Sequence, residues 1–500
     1  LDLSAGESPL SDPAGEPAAL VSVEVEMPVV SLHNGRPAHP EVFLELWNAL
    51  ARGGGWRPME FGVAREYPAA GPCINSQQLV TTDTGPVLEV APAPATTIES
   101  LAGQLHTLET LAWNPLFDLG FEPLGCGVHP TLRPLPDDYY RYRTRRPSYE
   151  YAIRERGWKH WTIVDKAAVQ EIVDVPFADA PRATRTLHRL SGLMNFILRN
   201  DPDISGEYGG RLSVRPHAWR DQVPRSGVYA GDASRVGIPR LEIDGWRDYV
   251  AILWEVGPMF LIGTKGDGFI YVPEHPTLIQ FLRNAPRGGW RARTVSGIET
   301  RVVPAPEHVA QSDWTYLGAT RIRWKWRNGG PDLDELLRAW DQREIESFLA
   351  AELEKVVIEN RGNSAQPPGD ELASVGLVAG LLANLDEAEE FALREPYSFW
   401  VETLEASTEL PFDSRVGVHS VPALLREMLD IARRGLILRK EPGVDAALSA
   451  LEKRLEERCS PAEKLIREYR RTGPGGVMAL TRLRPGPPPS RDVPPYFWRR

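Results

Sequence analysis

Glu24 and Glu26 stand two residues apart in the run Val21-Ser22-Val23-Glu24-Val25-Glu26-Met27. Strand residues two apart share a face. Their carboxylates can therefore converge on a hard divalent cation such as Mg²⁺, which takes carboxylate and water ligands. A solvated face of an edge strand explains the same pair. Thr81-Thr82-Asp83-Thr84-Gly85-Pro86-Val87-Leu88-Glu89 adds two more acids, Asp83 at a turn and Glu89 on the returning strand. They can complete the cluster, although an Asp at a turn needs no metal. Basic residues are patterned as well. Arg215 and His217, in Leu212-Ser213-Val214-Arg215-Pro216-His217-Ala218-Trp219, read as one alternation face. Arg321, Arg323, Lys325 and Arg327 alternate with Ile322, Trp324 and Trp326. Such a face suits phosphate or a substrate carboxylate, to which Arg presents a bidentate fork. A salt-bridge ladder accounts for it equally well. Cys126, between two glycines, reads as a buried small residue in a tight turn rather than a nucleophile.

The elements that must position these groups follow from composition and periodicity. The chain has 500 residues with 57 Lys+Arg and 68 Asp+Glu, a net charge of −11. That balance argues against a general nucleic-acid binder, which must neutralise phosphates. Its 3 cysteines are too few for a disulfide framework and form no CxxC pair, and a reducing cytoplasm is the simplest setting. No apolar run is long enough for a membrane span. There is no P-loop, no dinucleotide fingerprint, no H-E-x-x-H and no G-x-S-x-G. The 45 prolines are spread along the chain and mark many strand ends and loops.

Residues 1–20 read as a flexible leader. A strand over 21–27 is followed by a helix from His39 to Arg52, ended by Gly53-Gly54-Gly55. Strands Gln78–Thr82 and Pro86–Val90 form a hairpin with Asp83-Thr84-Gly85 at its tip. A helix over Thr96–Gly120 carries Ile98, Leu101, Leu105, Leu108 and Leu111 on one face. Strands are expected at Leu124–Val128, Thr162–Val175 and Leu317–Arg327, a helix at Ala183–Arg199, and a hairpin from Met259 to Val272. Helices are then expected at Leu333–Ile358, Glu371–Asn384, Asp386–Leu393, Val421–Arg434 and Val444–Arg470. This order implies an α+β fold with helices on one face of a largely antiparallel sheet. The expected organisation is a sheet domain over 21–331, a helical portion over 332–471 and a Pro/Arg-rich arm over 472–500, docked through Tyr496, Phe497 and Trp498.

Taken in order, these pieces resemble the glutamate–cysteine ligase family of carboxylate–amine ligases. The likeness lies in Glu24-Val25-Glu26, Thr81-Thr82-Asp83-Thr84-Gly85 with Glu89, the Gly-rich Leu124-Gly125-Cys126-Gly127-Val128, Tyr140-Arg141-Tyr142, Ala168-Val169-Gln170 and the Arg215-x-His217-x-Trp219 stretch. The resemblance implies a curved, glutamine-synthetase-like sheet. It implies ATP and Mg²⁺, with an acyl phosphate on a substrate carboxylate that an amine attacks. Glutamate, with cysteine or another small amine, is the implied substrate pair, as in glutathione biosynthesis. By position, Glu24, Glu26, Asp83 and Glu89 become metal ligands. Gln170, Arg321, Arg323, Lys325 and Arg327 lie at the nucleotide, Arg215 and His217 bind substrate, and Arg215 and Arg321 are catalytic. The implied partners are small molecules, with neither nucleic acid nor membrane, and the chain is a monomer or homodimer. The family closes its catalytic sheet with a Glu-x-Arg motif whose Glu joins the metal cluster, and the 319–327 segment holds no Glu. Glu171, which stands where an apolar residue is usual, is one candidate to replace it. The gap motivates one alternative, an altered member that binds or regulates; a phosphotransferase on the same scaffold is another.

Overall fold

The computed structural model describes residues 19–52, 56–58, 72–74, 78–239, 242–264 and 268–483. The expected terminal arm with Tyr496, Phe497 and Trp498, and the leader through residue 18, lie outside them. The fold is α+β, built on a curled antiparallel half-barrel sheet. Among the described residues nine strands form it. From one edge they run Thr320–Trp326, Leu353–Ser364, Ala168–Asp174, Val21–Ser31, Val87–Ala91, Gln78–Thr82, Pro72–Ile74 and Trp56–Pro58. Phe121–Pro123 pairs with the far end of Val21–Ser31.

The Glu24 strand is thus central, flanked by Val87–Ala91 and Ala168–Asp174. The solvated-edge explanation for its acids does not hold. Its alternation divides two buried faces. Val21, Val23, Val25 and Met27 enter the main hydrophobic core with Val90, Val169 and Val173. That core is closed by the helices Ile98–Asp118, Ala180–Leu198 and Ala373–Ala383, which pack on this side. The opposite face carries Ser22, Glu24 and Glu26. The hairpin joining Gln78–Thr82 to Val87–Ala91 forms as expected. Its tip needs glycine: a Cβ on Gly85 would stand 2.0 Å from the Val164 carbonyl oxygen.

Several elements differ from expectation. The segment expected as one helix, Leu333–Ile358, is two short helices, Leu333–Gln342 and Ile345–Glu352, followed by the strand Leu353–Ser364. Arg343 takes a left-handed conformation that ends the first helix, and the β-branched run Val356-Val357-Ile358 suits a pleated sheet rather than a helix. The 332–471 segment therefore contributes a strand to the heart of the sheet. Arg215 and His217 do not share a strand face. They sit in the helix Arg215–Gln222, which Pro216 starts with its fixed φ. The strand expected at Leu124–Val128 is Phe121–Pro123, and that at Thr162–Val175 begins only at Ala168. Leu111 is 37% exposed, and Ala112 takes its place on the buried stripe. The last expected helix is broken at Arg458, and Pro461 opens a new one. The helix Tyr397–Glu409 was not expected. Among the described residues no helix is long and apolar enough to cross a membrane.

Candidate active site

The core-remote face of the sheet holds a cavity of about 310 Å³. Glu24, Glu26, Asp83, Glu89, Gln170 and Arg321 all line it. Strand register makes this so. Glu26 pairs across the sheet with Glu89, and Glu24 with Gln170. Directly opposed residues bring their side chains together on one face, and the hairpin tip adds Asp83 above them. The far wall comes from Arg146, Tyr149, Trp158, His160, Trp219 and Phe260.

The electrostatics are those of crowded acids. Burial raises the Glu89 carboxyl well above the usual carboxylate range, and Glu24, Glu26 and Asp83 push it further. Burial, then Asp83, raises Glu26 to about 7. Glu26 is 3% exposed. Its Oε1 accepts from Gln170 Nε2 at 2.8 Å and its Oε2 from the Ala168 amide at 2.8 Å. Gln170 Oε1 is buried and has no hydrogen-bond partner. Asp83 Oδ1 accepts from the Tyr149 hydroxyl at 3.0 Å. Arg146 donates to the Thr82 carbonyl and, despite burial, is held cationic by Tyr149, Asp83 and Glu89.

Among the described residues, no three acidic, His or Cys side chains as they stand converge closely enough to hold a metal ion. The donor set nonetheless fits one. Its groups are hard oxygens, they repel one another, and one carbonyl oxygen lacks a partner. Each of these is relieved by a hard divalent cation.

Other expected site residues lie differently. Arg321 reaches the cavity, but its guanidinium grips Glu359 through Nε at 2.9 Å and Nη2 at 2.7 Å. Arg323 bonds Asp313 at 2.7 Å and Glu359 at 3.2 Å, and Lys325 bonds Glu354 at 3.0 Å. Arg327 donates to the Ala351 carbonyl at 3.1 Å. Arg323, Lys325 and Arg327 do not line the cavity. The basic strand is a salt-bridge ladder with a single member, Arg321, turned to the site. His217 lies outside too. Its Nε2 is 3.1 Å from Thr408 Oγ1 and its Nδ1 meets Arg220. A helical position turns it away from Arg215. Glu171 is on the core face, bound by Asn360 at 2.7 Å and Asn363 at 3.1 Å, and brings no charge to the cavity.

Sequence reasoning missed the residues that close the site. Glu359-Asn360-Arg361 lies on the strand beside the basic one, so a Glu-x-Arg motif is present one strand over from where it was sought. Burial opposes the Glu359 charge, yet Arg321, Arg361 and Arg323 hold its carboxyl far below the usual range. Arg361 lines the cavity, and a register shift between Asn360 and Asn363 kinks the strand at that point. The signal for it was the β-branched run before Glu359. Arg146, Tyr149 and His160 carried no pattern in sequence, since loops and short helices deliver them. Cys126 is buried and its thiol is pushed up to about 12, as suits a packing residue.

Residues 20–480 match the profile of glutamate-cysteine ligase family 2. Among solved structures, the fold is similar to that of a glutamate–cysteine ligase from Francisella tularensis in complex with AMP, at 13% identity and a TM-score of 0.51, over 93% of this chain and 87% of that one. A bifunctional glutathione synthetase from Pasteurella multocida aligns at 11% identity and a TM-score of 0.45, over 93% of this chain and 51% of its own. The ligase in a complex with the prokaryotic ubiquitin-like protein Pup aligns at 10% identity and a TM-score of 0.43, over 94% of this chain and 74% of its own. The first likeness shows the fold, and the other two are too distant to carry an argument. No curated protein sequence matches the chain.

Proposed function

The chain belongs to glutamate-cysteine ligase family 2, and from that premise we propose that it is an ATP-dependent ligase that joins the side-chain carboxylate of glutamate to a small amine, cysteine among the candidates. The observation that carries this reading is the convergence of Glu24, Glu26, Asp83, Glu89, Gln170, Arg321 and Arg361 on one cavity. In the reaction, an oxygen of the substrate carboxylate attacks the γ-phosphorus of ATP and ADP leaves. The amine nitrogen then attacks the acyl carbon, inorganic phosphate leaves, and the amine gives up a proton as the amide forms.

Glu24, Glu26, Asp83 and Glu89 would hold Mg²⁺, which would supply positive charge to offset that of the transferring phosphoryl group. Glu26 must shed its proton to serve, which a neighbouring cation favours. Gln170 fixes the Glu26 carboxylate in place and offers its own free carbonyl oxygen. Arg321 and Arg361, both anchored on Glu359, supply positive charge where the phosphoryl group passes. Arg215, buried beside Arg361, holds a substrate carboxylate. Tyr149 and Arg146 orient Asp83.

Glu359-Asn360-Arg361 supplies a Glu-x-Arg in the adjoining strand, but Glu359 is paired with Arg321, Arg323 and Arg361 and does not line the cavity, so the regulatory and phosphotransferase alternatives stand beside the ligase until turnover is measured. The test is ADP release from ATP and glutamate with a panel of amine acceptors, with and without Mg²⁺. Mg²⁺-dependent ADP release that requires both substrates supports the ligase. Silence with glutamate and every one of the twenty common amino acids as acceptor overturns it.

A further inference from the structure

Behind Arg361 lies a second cavity of about 380 Å³. It shares Trp219, Leu317 and Arg361 with the carboxylate cavity, so Arg361 stands between two adjoining chambers. Their linings differ in kind. The first is ringed by acids. The second has apolar walls, among them Met194, Val223, Val236, Ile238, Leu317 and Leu404. At its inner end sits Arg215, 4% exposed. The Arg215 guanidinium donates to the Arg361 carbonyl from Nε at 3.3 Å and Nη2 at 3.2 Å, and lies 5.6 Å over the Trp219 ring. It forms no ion pair with any described residue. The other cations on this lining are already matched: Arg220 binds Glu405 at 2.7 Å, Arg225 binds Asp221 at 3.3 Å, and Arg361 pairs with Glu359.

A buried arginine with no carboxylate in ion-pair contact, Glu26 and Asp201 acting on it only from further off, has room for an anion. An apolar chamber beside it favours an apolar body, at about fourfold in affinity for each methylene buried. Glutamate is poorly matched, because its second carboxylate would face those walls. The carboxylate donor must also present its reacting oxygens in the acidic chamber. The second chamber is then left for the other reactant.

Building on the ligase reading above, we propose that the acceptor is an amino acid with a branched or aromatic side chain, its carboxylate on Arg215 and its side chain in the second cavity, with its amine directed past Arg361 toward the acyl carbon. Glycine or cysteine would leave most of the chamber's apolar wall facing water.

The experiment measures kcat/KM for ADP release by the full chain with ATP, Mg²⁺, glutamate and, in turn, glycine, cysteine, leucine or phenylalanine. Leucine or phenylalanine is expected to exceed glycine and cysteine at least tenfold, since each buries two or more carbons beyond cysteine's at about fourfold apiece. Leu404→Trp fills the chamber and should lower the leucine-to-glycine ratio at least tenfold. Leu404→Ala enlarges it and should shift preference from leucine toward phenylalanine. Thermal melting confirms that each variant is folded, and the Ala variant reports independently if the Trp variant does not fold. Preference for glycine or cysteine, or ratios that both folded variants leave unmoved, overturns the proposal. Calorimetric titration of leucine in the presence of glutamate separates the two claims. Leucine binding that Leu404→Trp abolishes, with no ADP released for any acceptor, upholds the chamber's assignment and overturns the ligase reading. Neither binding nor ADP overturns both.

Discussion

The Glu24 strand and the Arg321 strand carry the same pattern, charge alternating with apolar residues, and the fold puts them to opposite uses. On the Glu24 strand the charges face like charges. Glu24, Glu26, Asp83 and Glu89 crowd one cavity, and burial with mutual repulsion raises Glu26 and Glu89. On the Arg321 strand each charge meets its opposite or a carbonyl: Arg321 and Arg323 on Glu359, Lys325 on Glu354, Arg327 on Ala351. Charges left in conflict mark where an external partner is needed, whereas satisfied charges away from the cavity mark structure; Arg321, paired with Glu359 yet lining the cavity, belongs to both. Alternation alone cannot tell these apart, because the answer lies with neighbours brought in from elsewhere in the chain.

The contrast can be broken from either side. The largest effect is expected from Glu26→Gln. It removes a charge the acidic chamber is proposed to use and keeps the side chain's shape, so Mg²⁺-dependent turnover should fall by about 10²–10³-fold, an effect of the size seen when transition-state charge stabilisation is lost. Its melting temperature should hold or rise, since a repelling buried acid is gone. A large loss of stability would instead make Glu26 structural. Next is Glu359→Gln, which leaves Arg321, Arg323 and Arg361 crowded without their anion. Denaturant unfolding should show a loss of about 3 kcal/mol, the scale for a broken buried pair. An unchanged midpoint would show that the ladder does not hold the sheet.

Gly85→Ala tests how the hairpin tip is seated. Its new methyl would collide with the Val164 carbonyl, and the strain should cost about 1–3 kcal/mol. Activity should fall with it, because Asp83 rides on the same turn. The smallest effect belongs to Lys325→Ala. This half-buried pair with Glu354 lies at the ladder's outer end, where such bridges contribute about 0–1 kcal/mol. Turnover should match the parent chain. A clear loss of activity would return the whole basic strand to the nucleotide.

The acidic half of the site was legible in sequence for a physical reason. Glu24, Glu26 and Glu89 lie on strands where period-two spacing fixes the face, and the Asp83-Thr84-Gly85 turn fixes the return. The basic half was not. Helical periodicity from Leu333 was carried through Glu352 into Val356-Val357-Ile358, and this hid the strand that delivers Glu359 and Arg361. Arg215 and His217 alternate on paper, but Pro216 starts a helix there, and helical spacing sends the two side chains apart. Arg146, Tyr149 and His160 reach the cavity from short helices far along the chain, with no local pattern to announce them.

Phosphorylation of a carboxylate in this cavity leaves a mark that oxygen-18 in the side-chain carboxylate of glutamate would reveal. With ATP, Mg²⁺ and an accepted amine, the released phosphate should carry one labelled oxygen for each amide formed, because the acyl carbon–oxygen bond is the one that breaks. Phosphate released without label, whether or not ATP is consumed, would contradict it.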